Sequence, residues 1–157
     1  MKYDNARNAR QKHIDEILRS RSDKKVVVAG PGTGKTYLFK KVLEGKAKTL
    51  TLTFVNSLVE DLSLDLCGIS EVRTLHSYAR GILKTLTRRD IKVSPFLSRI
   101  IADDAQILID QKIDFDRIFY EMDDENDFLE FYHKRRAYYD HYGYSDIIYT
   151  EIGRAHV

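Results

Sequence analysis

The chain has 157 residues, of which 43% are apolar and 32% charged, enough for one globular domain with a real core. No run approaches the roughly 18 consecutive apolar residues of a membrane span, and the opening "MKYDNARNARQKHIDEIL" is too polar for a signal peptide. The single cysteine, Cys67, excludes an internal disulfide framework and a multi-cysteine zinc site, so a reducing, cytoplasmic setting is expected.

The first predicted element is a helix over residues 8–20, with Ile14, Ile17 and Leu18 on one face. "VVVAG" at 26–30 is a short β-branched run that predicts a buried parallel strand. "KTYLFKKVLEG" has helical periodicity, with Leu38, Val42 and Leu43 inward and Gly45 as a stop. "KTLTLTFVN" predicts the next strand, with Asn56 or Ser57 capping a helix over "SLVEDLSLDL". "EVRTL" predicts a third strand and "HSYARGILKTL" the helix after it. This alternation implies an α/β domain with a mostly parallel sheet.

The pattern changes after Thr87. Ser94 before Pro95 predicts a capped helix start, Phe115–Met122 another helix, and Asn126–Tyr142 a longer one. That last helix has a stripe of Phe128, Phe131, Tyr132, Tyr139 and Tyr142, interrupted by Arg135. No strand is predicted here, so residues 88–142 read as an all-helical insertion or subdomain. The tyrosines crowded between Tyr120 and Tyr149 either line a channel or pack this subdomain with their hydroxyls at the surface. Lys134, Arg135 and Arg136 form a candidate phosphate-contacting patch.

Charge is unevenly spread beneath a net +2. Residues 1–50 hold thirteen Lys/Arg against five Asp/Glu, whereas residues 101–130 hold two against eleven. The basic part suits a polyanion, or is a solvated surface; the acidic part reads as a loop and an exposed helix face.

"AGPGTGKT", Ala29 to Thr36, fits the phosphate-binding pattern [AG]-x-x-x-x-G-K-[ST]. Gly30, Gly32 and Gly34 permit backbone dihedrals that side chains forbid, so the amides of Ala29, Gly30, Pro31's neighbours, Gly32, Thr33 and Gly34 can surround a phosphate. Lys35 brings the charge that reaches the β and γ phosphates of a nucleoside triphosphate, Thr36 offers its hydroxyl to Mg²⁺, and Tyr37 follows in the same nucleotide-contacting stretch. The helix opening near Gly34 adds its partial positive charge.

Three later stretches, "TLTFVNSLVEDL", "VRTLHSYARGIL" and "YGYSDIIYT", follow this loop in an order that resembles the N-terminal part of superfamily 1 DNA helicases of the UvrD/Rep/PcrA kind. Thr53, Phe54 and Asn56 match that family's Thr-Phe-x-Asn segment; Thr74, His76 and Ser77 match its Thr-x-His-Ser/Gly segment; Tyr144, Asp146, Ile147 and Ile148 match a later one loosely. The likeness runs over residues 8–87 and more loosely over 128–150.

The resemblance implies a P-loop NTPase of RecA-like fold: residues 1–87 begin the ATP-binding domain, 88–142 form the helical insertion, and 143–150 return toward the first domain. It implies an ATP-dependent helicase or translocase on single-stranded DNA. Phe54 and Asn56 would contact base or backbone, Thr74 and His76 a phosphate, and Gln11 the adenine edge. The residues alone leave Phe54 open to a core role, His76 to a locally satisfied ring, and Gln11 to the surface.

The family's apolar strand ending Asp-Glu-x-Gln-Asp is not in this sequence; "ILID" at 107–110 is followed by Gln111 and Lys112. Arginine fingers and a second RecA-like domain are implied C-terminal partners of the same chain. "EIGRAHV", Glu151–Val157, back-translates to a sequence similar to a sequencing adapter and is read as a non-native tail. The expectation is a parent enzyme that hydrolyses ATP and a chain that does not. Alternatives are another P-loop ATPase, either AAA-type or a nucleotide kinase, and a non-hydrolysing, nucleotide-gated DNA-binding module.

Overall fold

The computed structural model describes residues 2–154, with side chains described for 8–150. The expectation for Glu151–Val157 lies outside the residues so described. The protein is mixed α/β, mostly helical, with a two-strand parallel sheet. It divides into two compact units, one of residues 1–51 and 55–72, the other of residues 52–54 and 73–157.

The first unit contains α1 (Lys2–Arg19), α2 (Lys35–Leu43) and α3 (Ser57–Asp65). Strand β1 (Leu50–Thr53) pairs with β2 (Glu71–Thr74), and the helix between them makes the parallel crossover. Threonines reinforce the ladder: Thr49 Oγ1 donates to the Ile69 carbonyl at 2.5 Å, and Thr51 Oγ1 lies 2.8 Å from Ser70 Oγ. Leu38 and Leu66 are buried, and Gly45 follows α2 with φ 77°, as its stop position requires. Asn56 occupies the cap position of α3, one of the two expected, but in a helical conformation and without a side-chain cap bond.

"VVVAG" is not a strand. Val26 and Val28 are 92% and 96% exposed, and no described strand pairs with them. A β-branched run becomes a sheet strand only where neighbours take up its N–H and C=O groups.

The second unit is helical: α4 (Leu75–Thr87), α5 (Leu97–Ile109), α6 (Phe115–Glu121), α7 (Leu129–Tyr139) and α8 (Tyr144–Arg154). Ser94 and Pro95 form the turn before α5 rather than its cap and first residue; Ser94 Oγ accepts from Phe96 N at 3.4 Å, and the helix starts two residues later than predicted. Leu97, Ile101 and Ala105 of α5 pack with Phe115, Ile118, Phe119, Leu129 and Tyr132 in one cluster. A second cluster joins Ala79 and Leu83 of α4 to Ile91 and Ile147.

Helix α7 stops at Tyr139, short of the predicted Tyr142. Asp140 turns left-handed (φ 53°) and its carboxylate pairs with Lys92 at 2.6 Å. The chain then pairs beside the segment before α5: Tyr142 N donates to the Lys92 carbonyl at 2.9 Å, and Ser94 N to the Tyr142 carbonyl at 2.8 Å. This isolated parallel bridge, Val93 to Tyr142, adds extended pairing where only helix was expected. Helices α4, α5, α6 and α7 all end on a left-handed residue that is not glycine: Arg88, Asp110, Met122 and Asp140.

Of the tyrosines between Tyr120 and Tyr149, Tyr132 is fully buried with its hydroxyl inside, whereas Tyr120 and Tyr138 are 88% and 74% exposed. The Tyr132 ring meets Phe119 edge-on at 4.6 Å and Phe115 at 5.0 Å, while its hydroxyl donates to Asp146 Oδ2 at 2.7 Å. The Gly143 amide donates to the same oxygen at 3.0 Å, and a Cβ on Gly143 would come within 3.0 Å of the tyrosine hydroxyl. The Arg136 guanidinium stands 3.8 Å from Oδ1, beyond hydrogen-bond range, and stacks over Tyr142 at 4.4 Å.

Burial holds the Asp146 carboxyl above the ordinary carboxylate range, outweighing the Gly143 and Tyr132 hydrogen bonds and the Arg136 charge that favour ionisation, with Asp116 opposing it further. Burial, then the carboxylate, raises the Tyr132 hydroxyl as well. A carboxyl harder to ionise when folded contributes stability that is fully present below its unfolded pKa and is lost as pH rises through the folded one. The urea midpoint of the parent chain minus that of Asp146→Asn is therefore expected to fall as pH rises above the ordinary aspartate pKa of about 3.9. Asp146→Ala, which strands the tyrosine hydroxyl and the glycine amide, should destabilise by about 3 kcal/mol in the same denaturation measurement.

Candidate functional site

The stretch Ala29–Thr36 forms a turn at Pro31 and Gly32 and then opens α2 at Lys35. Gly32 has φ 69° and Gly34 φ 86°, values that an L side chain adopts with strain. A Cβ on Gly32 would meet nothing, so its glycine is required by backbone angle and not by space. Thr33 Oγ1 donates to the Gly30 carbonyl at 2.8 Å, locking the turn from inside. Lys35 reaches back across the loop, and its Nζ donates to the Ala29 carbonyl at 3.2 Å. The octapeptide is thus neither straight nor buried, and its lysine faces its own loop.

Leu38 N donates to the Gly34 carbonyl at 3.1 Å, so the helical ladder begins at Gly34. The first turn of α2 contains no acidic residue to neutralise its partial positive charge. Thr36 and Tyr37 lie in that turn; Tyr37 is about half exposed, and the Lys41 ammonium sits 6.0 Å over its ring.

Beside the loop is a half-open cavity of about 620 Å³, within the range of small-molecule sites. Its apolar wall is Ile14, Ile17, Leu38 and Val26–Val28; its polar side is Gly30, Thr33, Gly34 and Lys35, with Arg10 and His13. Arg10 and His13 were not singled out in the sequence. The signal for them was the spacing of Arg10, His13, Ile14 and Ile17, which share one helical face.

Gln11 lies off that face. Its amide donates to Asp15 Oδ1 at 2.8 Å, and it lines a separate surface depression with Lys12, Asp15 and Arg19 instead of the loop cavity. A donor already held by a carboxylate one turn away is not presented to a base at the loop.

The expected DNA contacts occupy varied settings. Phe54 is 78% exposed, which removes the core alternative for it. Asn56 is exposed just before α3. Thr74 is buried and accepts from Ser77 N at 3.1 Å as the N-cap of α4. The half-buried His76 ring packs against Tyr144 at 4.9 Å. The candidate basic patch is largely engaged: Arg135 pairs with Asp104 at 2.7 Å and Lys134 with Glu130 at 2.6 Å.

The residues fit a nucleotide with its magnesium ion at the loop. The glycine backbone is unobstructed around Gly32, one lysine already bends over the mouth, and the Thr36 hydroxyl stands in the adjoining first turn. No cluster of His, Cys, Asp or Glu that could hold a metal ion is found among the described residues. No helix among the described residues is long and apolar enough to cross a membrane. Comparison with protein-family models, with curated proteins and with solved structures gives no match to this chain.

The capping role of Thr74 is measurable by itself. Thr74→Ala should lower stability by about 1 kcal/mol, and Thr74→Ser should retain most of it, in thermal or urea unfolding.

Proposed function

We propose that this chain is the ATP-binding portion of an ATP-dependent helicase or translocase acting on single-stranded DNA, in a RecA-like P-loop setting. The observation that carries the reading is the Ala29–Thr36 turn: positive φ at Gly32 and Gly34, Lys35 folded over the mouth, and α2 opening directly behind it.

The chemistry follows from those parts. Backbone amides of the turn and of the first turn of α2 donate to phosphate oxygens. Lys35 would exchange a hydrogen bond to a neutral carbonyl for an ion pair with a charged phosphate oxygen, which is the stronger contact. Thr36 would supply a hydroxyl ligand to a magnesium ion accompanying the nucleotide, and that ion would offset charge on the phosphate oxygens. Phe54 offers an exposed aromatic face on which a base can stack, and Asn56 an exposed amide for backbone or base. His76 offers an imidazole for a phosphate. Residues 88–142 serve as the helical insertion of such an enzyme. In this reading the described residues bind and orient ATP, and none of them is assigned as the acid or base of hydrolysis.

Titration of the purified chain with a fluorescent ATP analogue and Mg²⁺ tests the reading. Binding is expected, and Lys35→Ala should weaken it by about a hundredfold. Unchanged binding in Lys35→Ala, or steady phosphate release that Lys35→Ala abolishes, contradicts the proposal in its two separate parts. For the DNA track, Phe54→Ala should weaken binding of a single-stranded oligonucleotide by about 1–3 kcal/mol in fluorescence anisotropy.

A further inference from the structure

The phosphate-loop pattern accounts for Lys35 but not for the second cation at the same cavity. Arg10 projects from α1, and its Nη1 lies 3.6 Å from the position a Cβ on Gly34 would occupy, with Cζ at 3.8 Å and Nε at 3.9 Å. The broad side of the guanidinium therefore lies against the glycine at which α2 begins.

Both described carboxylates of α1 are committed elsewhere. Asp15 holds the Gln11 amide, and Glu16 lies 3.3 Å from His13 Nδ1. Among the described side chains no carboxylate pairs with Arg10, and none lines the cavity. Two cations and a helix N-terminus thus face one apolar-walled space without a counter-charge. Such a space draws an anion, and low-dielectric walls strengthen the attraction. A guanidinium adds a planar fork of donors that matches phosphate oxygens two at a time.

We infer that Arg10 is a second phosphate-binding cation of this site and makes it discriminate between nucleotides by their number of phosphates. The inference rests on the reading of the loop as a nucleotide site and adds a ligand-binding residue from outside the motif. Each added phosphate brings further negative charge, so a site with two cations gains more from the longer tail than a site with one. The guanidinium is placed to contribute most to a triphosphate and least to a monophosphate.

The test titrates the parent chain, Arg10→Gln, Arg10→Lys and Lys35→Ala with fluorescent adenosine tri-, di- and monophosphates in Mg²⁺. Arg10 is exposed on a helix and glutamine is a good helix former, so unchanged circular dichroism is expected for these variants. Arg10→Gln should weaken triphosphate binding by about tenfold and monophosphate binding by less than about twofold, and Arg10→Lys should recover part of the loss. An equal loss across the three nucleotides, or no loss, overturns the assignment of Arg10 while leaving the loop in place. Failure of the parent chain to bind any of them, or binding untouched by Lys35→Ala, overturns the nucleotide site and the assignment of Arg10 with it.

Discussion

One buried carboxylate organises the helical half of this protein. Asp146 Oδ2 receives the Tyr132 hydroxyl from α7 and the Gly143 amide from the turn ahead of α8. Through Tyr132 it reaches the ring cluster of Phe115 and Phe119, and its neighbour Ile147 belongs to the second cluster with Ala79 and Leu83. The two apolar clusters are therefore tied by a polar bond that tolerates little change. A carboxylate without hydrogen bonds at that depth would be expelled, and a Cβ on Gly143 would press on the hydroxyl.

The other half is governed by backbone conformation more than by packing. Gly32 and Gly34 take left-handed angles in close succession, with space around Gly32 and a guanidinium against Gly34. The turn they make points polar groups inward: Thr33 and Lys35 both hydrogen-bond to carbonyls of their own loop. These contacts hold the loop folded on itself. Ile14, Ile17 and Leu38 wall the cavity beside the same loop.

Local pattern made most elements legible. Apolar periodicity marked α1 and α2, the alternation of Thr49, Thr51 and Thr53 with leucines marked β1, and the glycine spacing marked the loop. What it missed depended on partners distant in the chain. "VVVAG" has strand composition, but pairing belongs to neighbours, and no described strand supplies it. The end of α7 carried no glycine to announce it; Asp140 turns there with Lys92, far earlier in the chain, holding its carboxylate. Asp146 stood out only as a loose motif match, because its burial and its bond to Tyr132 are tertiary facts. Arg10 was hidden for a similar reason: a lone arginine in a basic segment acquires meaning only when a helix lays it against Gly34.

The four helix ends at Arg88, Asp110, Met122 and Asp140 also define how this scaffold could be improved. Each holds an L residue in the mirror-image well, a penalty of roughly 1 kcal/mol that glycine escapes, less the greater freedom glycine has when unfolded. Arg88 is solvent-facing and unconnected to either apolar cluster, so a glycine graft there trades away little. The protein thus retains thermal headroom at its corners, available to an engineer without disturbing the loop that gives the molecule its chemical interest.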